Sequence, residues 1–303
     1  MSSGIQNPAV PGVCPLCGHS GSLAFHLAHA PVWRCSFRTC GLEFAFPQLD
    51  ETELSHCYRT LYYPDDAVNH KVMFENSSED VLQQFFDQLN RRLGPLSSRR
   101  LLDYGCGSGR LLRIAKERGF QPTGIETDDV ARRAASDNSG STVFKNIDEL
   151  QTFQPSAKFD FIILWTVIEH LRAPWVDLAR LRALLSPGGW LYLSTMDIRC
   201  LRARLEGRRW ENYANPTHLF YFDDVSLQNA LLTAGFSNPL RWYLKFRYPH
   251  HGILRRIVYN ISSFFGLADG LVYMCREDPH GGSAEKADVV QRTRLAGSRS
   301  GDV

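Results

Sequence analysis

Leu101-Leu102-Asp103-Tyr104-Gly105-Cys106-Gly107-Ser108-Gly109-Arg110-Leu111-Leu112 runs from a short apolar segment, through glycines at alternate positions, into an amphipathic stretch. The order reads as strand, turn and helix. Glycine at 105, 107 and 109 lets the backbone turn sharply and turn its N–H groups toward a ligand at the positive end of the following helix. A pyrophosphate-binding fingerprint places its third glycine one position later, where Arg110 stands, so a dinucleotide fits less well. Glu126 ends the next apolar run, Thr123 to Glu126, about twenty residues beyond the loop, where an acidic side chain accepts hydrogen bonds from both ribose hydroxyls. Loop and carboxylate together describe a nucleoside ligand.

Outward from this loop, short apolar runs alternate with helical stretches, the pattern of successive βαβ units and a mostly parallel, doubly wound α/β sheet. Arg110 to Arg118 predicts a helix closed by Gly119, and Phe161 to Leu164 a strand buried on both faces. Trp175 to Leu185 reads as a helix, Ser186-Pro187-Gly188-Gly189 as a turn, and Trp190 to Ser194 as a strand. Ser226 to Thr233 is helical up to Gly235, and Leu240 to Phe246 and Leu271 to Cys275 supply the last two strands. Upstream, Val81, Leu82, Phe85, Phe86, Leu89 and Leu93 recur at helical spacing between Asn76 and Leu93, and Gly94-Pro95 stops that helix.

Four of the eight cysteines, Cys14, Cys17, Cys35 and Cys40, fall in the first forty residues; Cys57, Cys106, Cys200 and Cys275 are scattered. This N-terminal stretch has too little apolar surface for an independent core. Four thiolates are the number a tetrahedral structural zinc site takes, and the glycine after Cys17 and after Cys40 suits a tight knuckle turn. The second pair is spaced wider than the first, so His19, His26 or His29 is an alternative ligand. The competing reading is two disulfides. Residues 1–10 lack the charged and apolar regions of a secretory signal, which predicts a cytoplasmic, reducing setting and favours metal.

From Leu101 to Gly109, through Gly124-Ile125-Glu126, Phe159-Asp160 to Glu169-His170, and Leu185 to Gly189, the chain resembles the class I S-adenosylmethionine-dependent methyltransferases in order and spacing. It is most similar to the methyltransferase domain 23 branch. There, Cys-x-x-Cys pairs come before the domain and a His-x-x-Phe segment after it, here His218-Leu-Phe220 with Phe222, then Ala234-Gly235-Phe236. The resemblance implies a Rossmann-like, mostly parallel seven-stranded sheet carrying a small N-terminal zinc-binding module. It implies that Asp103, Gly105, Cys106, Gly107 and Gly109 hold the methionine part of S-adenosylmethionine and that Glu126 holds the ribose. Lys145, Asn146 and Ile147 would lie near adenine, and Trp165 and Thr166 would close over the cofactor. Some similar quinone O-methyltransferases use the Glu-His pair and a further upstream Glu to hold a metal; that position is Thr166 here, so no catalytic metal is carried over.

The division expected is a zinc-ribbon-like module at 1–50, a helical linker or lid at 51–96, the methyltransferase domain at 97–276 with an acceptor-side insert at 196–222, and a disordered tail at 277–303. Glu169 and His170 follow the fourth strand of the domain, where parallel sheets build their sites. They are read as catalytic or as capping the loop. His218, in the insert, is read as the proton acceptor or as a packing residue between Pro216 and Phe220. Arg199, Arg202, Arg204, Arg208 and Arg209 cluster beside Trp210, Tyr213, Phe220, Tyr221 and Phe222. One reading is a phosphate-bearing acceptor such as a sugar, sugar nucleotide or lipid-linked sugar, clamped by Arg and stacked on rings. The other is a solvated helix face with Leu201 and Leu205 turned inward.

A net charge of +2 gives no global steering toward polyanions, so RNA methylation, and a cofactor-binding scaffold without turnover, rank behind a small-molecule enzyme. No run approaches the roughly 18 apolar residues of a spanning helix, which argues against a transmembrane protein.

Overall fold

The alternation of apolar runs and amphipathic stretches is realised as a layered α/β structure in the computed structural model, which describes residues 12–61, 79–242 and 270–277. Three N-terminal strands come first, β1 (Gly21–His26), β2 (Pro31–Cys35) and β3 (Glu43–Ala45), all antiparallel. Helices α1 (Glu51–Leu61) and α2 (Glu79–Leu93) follow. Val81, Leu82, Phe85, Phe86 and Leu89 form the buried stripe of α2.

The large domain begins with β4 (Arg100–Tyr104), α3 (Arg110–Glu117), β5 (Gln121–Ile125), α4 (Asp129–Ser139), β6 (Thr142–Phe144) and α5 (Ile147–Phe153). It continues with β7 (Phe159–Trp165), a 3-10 turn at Ile168–His170, α6 (Pro174–Ala183) and β8 (Leu185–Met196). The insert holds α7 (Leu201–Glu206), a 3-10 turn at Gly207–Arg209, α8 (Glu211–Ala214) and β9 (Phe220–Tyr221). The fold closes with α9 (Asp224–Thr233), β10 (Leu240–Arg241) and β11 (Gly270–Arg276).

The seven strands lie in the order β10-β11-β8-β7-β4-β5-β6. The five from β6 to β8 are parallel and β11 is antiparallel to β8, which is the Rossmann-like doubly wound sheet expected. Its central strand β7 is buried at Phe161, Ile162, Ile163 and Leu164, as its unbroken apolar run requires when helices cover both faces.

The structure departs from the expected elements at two places, and a third expectation is described only in part. Ser186 to Gly189 lies within β8 as a bulge: pairing with β7 jumps from Phe159 opposite Leu185 to Phe161 opposite Trp190. A side chain on Gly189 would meet the Ser186 carbonyl oxygen at 2.9 Å and that of Phe159 at 3.0 Å, so the tight backbone approach explains the glycine. The strand expected at Leu240 to Phe246 is described as Leu240–Arg241, followed by Trp242, whose N–H donates to the Val272 carbonyl at 2.8 Å; residues 243–246, like the tail from 278, lie outside the described residues. On α7 the inward residue is Ala203, beside Cys200, whereas Leu201 and Leu205 face outward. The inward placement of those leucines is therefore corrected: the space beneath the helix is taken by Trp210 and Tyr213, which pack with Cys200, Ala203 and Val32.

The N-terminal strands do not stand alone. β9 of the insert pairs with β3, Phe44 opposite Phe220 and Glu43 opposite Tyr221, making a four-stranded sheet β1-β2-β3-β9. Among the described residues no helix is long and apolar enough to cross a membrane.

Candidate functional site

The glycine loop sits at the carboxyl end of β4, where neighbouring parallel strands open a crevice. Gly105, Gly107 and Gly109 all have positive φ, at 78°, 52° and 78°, a region that costs other residues. Their surroundings differ. A Cβ on Gly109 would meet the Ala135 carbonyl oxygen at 2.6 Å and one on Gly105 would meet Val167 at 2.7 Å, whereas one on Gly107 would meet nothing within 4 Å among the described residues beyond its chain neighbours. The loop is thus packed at both ends and open in the middle.

The Gly107 N–H donates to Glu126 Oε2 at 2.9 Å and the Asp128 N–H donates to Glu126 Oε1 at 3.1 Å, so the carboxylate is aimed along the loop. Asp103 is 3% exposed; burial and the charge of Glu126 push its carboxyl up to about 8. Two buried carboxylates beside an open glycine cradle suit a ligand carrying both hydroxyls and a cation. Cys106 contributes less than its place in the loop implies: its N–H donates to the Ile125 carbonyl at 3.0 Å and its side chain packs with Leu112 and Ala135.

Asn146 lies after β6 as expected, but its side chain caps α5, accepting from the Glu149 N–H at 2.8 Å. Trp165 packs edge-on against Phe85, ring centroids 5.2 Å apart. Thr166 has φ 54°; a β-branched residue in the left-handed region is strained, and such strain collects at ligand-binding turns.

Glu169, His170 and His218 converge, with one donor atom from each within 4.8 Å of the others. Glu169 Oε2 accepts from the Thr195 hydroxyl at 2.9 Å, while Oε1 is buried without a hydrogen-bond partner among the described residues. Burial pushes this carboxyl up to about 7. The His170 ring lies 4.7 Å from that of His218 and 6.0 Å from that of Tyr58 on α1. Its Nδ1 is 3.0 Å from the Thr217 carbonyl, which makes Nδ1 the protonated nitrogen and puts the basic lone pair on Nε2. Burial lowers its pKa to about 4, so the ring is neutral at pH 7.

His218 is 5% exposed. Its Nδ1 donates to the Asn212 carbonyl at 2.9 Å, and its Nε2 accepts from Asn215 Nδ2 at 3.1 Å. The sequence reading missed Asn215 and Thr195. Asn215 also accepts from the Thr217 N–H and hydroxyl, and the segment Asn215-Pro216-Thr217 is the turn signal that marks it. Thr195 carried no signal, being one residue inside an apolar strand. The insert's aromatic residues are core: Trp210, Tyr213, Phe220, Tyr221 and Phe222 are all buried, so they offer no stacking face. Arg199 pairs with Asp223, and Arg202 with Glu206 and Glu211.

The four N-terminal cysteines meet. Cys14 and Cys40 sulfurs are 3.7 Å apart, those of Cys17 and Cys35 3.5 Å, and all four lie within 4.8 Å of one another. A tetrahedral ion with bonds of about 2.3 Å needs sulfurs about 3.8 Å apart, whereas a disulfide needs about 2 Å. Mutual hydrogen bonding, led by Cys14, lowers the thiols of Cys17 and Cys35, the latter to about 7, and that same crowding raises Cys14 and Cys40. His19 is turned to stack on Phe37 with centroids 4.0 Å apart.

A family model described as a methyltransferase domain matches residues 73–239, more than half of the chain. The ubiquinone biosynthesis O-methyltransferase of a Bradyrhizobium species is 26% identical over 138 residues, 45% of this chain and 51% of that protein. The protein of the same name from Bordetella bronchiseptica is 32% identical over 110 residues, 34% of this chain and 45% of that one. The chain spans about half the length of the curated relatives it matches. A solved S-adenosylmethionine-dependent methyltransferase from Archaeoglobus fulgidus aligns at 18% identity with a TM-score of 0.46, over 64% of this chain and 94% of that one. With a family model matched from α2 to the end of α9, and a glycine loop interlocked with its acidic partner, the chain belongs to the S-adenosylmethionine-dependent methyltransferase family.

Proposed function

We propose that the protein methylates a hydroxyl group of a small molecule from S-adenosylmethionine. The observation that carries this is the cradle over Gly107, open within 4 Å and lined by the Glu126 carboxylate that its own N–H holds. Glu126 takes the ribose and Asp103 faces the ammonium of the methionine part, with Thr166 at the carboxyl end of β7. Bound there, the cofactor supplies an electrophilic methyl group, so the chain has only to align the acceptor and remove its proton. The names of the curated relatives favour oxygen as the methylated atom.

His170 is the proton acceptor in this reading. Its Nε2 carries the lone pair, and loss of the proton from the acceptor hydroxyl accompanies formation of the methyl–oxygen bond and cleavage of the methyl–sulfur bond. His218, with both nitrogens engaged, positions His170 and the turn at 215–217. A sugar or lipid-linked sugar remains within this class of acceptor; with the rings buried and Arg199 and Arg202 paired, support for it comes from Arg204, Arg208 and Arg209 alone. Zinc on Cys14, Cys17, Cys35 and Cys40 is structural, and a reducing cytoplasm keeps those thiols competent to bind it.

Titration calorimetry with S-adenosylhomocysteine tests the cradle. Wild type binds, and Gly107→Val does not, with its circular dichroism spectrum retained. Failure of the wild type to bind ends this reading.

A further inference from the structure

We propose that the outward face of α7, made by Leu201, Arg204 and Leu205 and continued by Arg208 and Arg209, docks the protein on an anionic lipid surface. Leu205 is 78% exposed and Leu201 39%. Spaced four apart, they share one side of the helix with Arg204 between them. The opposite side is fastened: Ala203 is buried with Cys200 against Trp210 and Tyr213, and the Ala203 N–H donates to Cys200 Sγ at 3.2 Å. The exposed leucines are therefore held outward by a packed underside.

Charge on this face is unbalanced. The two acids of the insert's helices, Glu206 and Glu211, both bind Arg202 at 2.7 Å and 2.6 Å, and Arg199 is occupied by Asp223. Arg204, Arg208 and Arg209 have no ion-pair partner among the described residues. Three uncompensated guanidinium groups next to two exposed leucines match a surface that offers phosphate above hydrocarbon. Nucleic acid would satisfy the arginines and leave Leu205 in water. One helical turn gives weak, reversible, salt-sensitive attachment. α7 follows β8, whose Thr195 donates to the Glu169 carboxylate, so the docking face is joined by a short stretch of chain to the site. The inference stands whichever hydroxyl is methylated.

The test is co-sedimentation of the full chain with phosphatidylcholine vesicles, with and without phosphatidylglycerol. Wild type pellets with the anionic vesicles alone, and less so as salt rises. Each charge lost from Arg204 and Arg208 weakens attachment about fivefold, so Arg204→Glu with Arg208→Glu abolishes pelleting. Leu205→Ser weakens it roughly tenfold. The variants keep S-adenosylhomocysteine binding, which shows that they fold. No attachment to anionic vesicles, or attachment indifferent to these substitutions, overturns the proposal. So does tight binding of an RNA oligonucleotide that needs the arginines but not Leu205. Loss of a dimer in Leu205→Ser, read by light scattering, overturns it as well and makes the face a contact between copies.

Discussion

Burial first, and the nearby charge of Glu126 second, push the Asp103 carboxyl up to about 8. Unfolded, the same group releases its proton near pH 4. Between those values the folded state binds a proton that the unfolded state lacks, so this residue makes stability fall as pH rises from about 4 to about 8. A cationic ligand reverses the preference by favouring the ionised carboxylate. We predict that Asp103→Asn flattens the pH dependence of the ligand-free melting temperature across that window and weakens S-adenosylhomocysteine binding. An unchanged slope, or full affinity, would remove Asp103 from the cradle. Such residues were legible because a glycine loop is a local backbone constraint written in consecutive positions. What could not be read was their unequal surroundings: Gly109 is needed because Ala135 of α4 presses against it, a contact set by helix packing.

At the scale of elements, β4, α3, β5, β7, α6 and the second half of β8 followed from periodicity, since strands buried on both faces and amphipathic helices each leave a signature, whereas α4 and α5 were not read. The insert did not. β9 has two residues and β3 three, below the length at which any period shows, and the orientation of α7 depends on Trp210 and Tyr213 filling the space beneath it. The same limit governs the histidines. Sequence position offered His218 as the proton acceptor or as a packing residue, and its hydrogen bonds from Asn215 and to Asn212 support the fastening role proposed for it. We predict that His170→Ala lowers turnover by roughly 10²–10⁴ with cofactor affinity kept. His218→Ala should lower the melting temperature and raise KM more than it lowers kcat. The opposite pattern would return proton acceptance to His218.

In the whole molecule, the cysteine module and the large domain share one sheet and one core: Cys14, Cys35, Leu42 and Phe44 pack in the same cluster as Phe220, Phe222 and Leu227. Across that junction Glu43, fully buried, accepts from Arg34 Nε at 2.7 Å and from the Tyr213 hydroxyl at 2.7 Å. Binding of a metal by the four cysteines would therefore be linked to the order of the insert. We predict one zinc per chain, and that a chelator speeds hydrogen exchange in residues 14–45 and 210–222 together while β4 and β5 stay protected. Exchange confined to 14–45 would show that the module is autonomous.

The pairing of β3 with β9 also has a consequence for synthesis. Glu43 and Tyr213 are 170 residues apart in the chain, so at 5–20 residues per second the ribosome delivers the second about 10–35 s after the first. Through that interval β3 is an uncovered strand edge, the kind of surface on which nascent chains pair wrongly. Because the order of the cysteine segment is tied to the insert, metal on the four cysteines alone would leave that edge unpaired until β9 arrives.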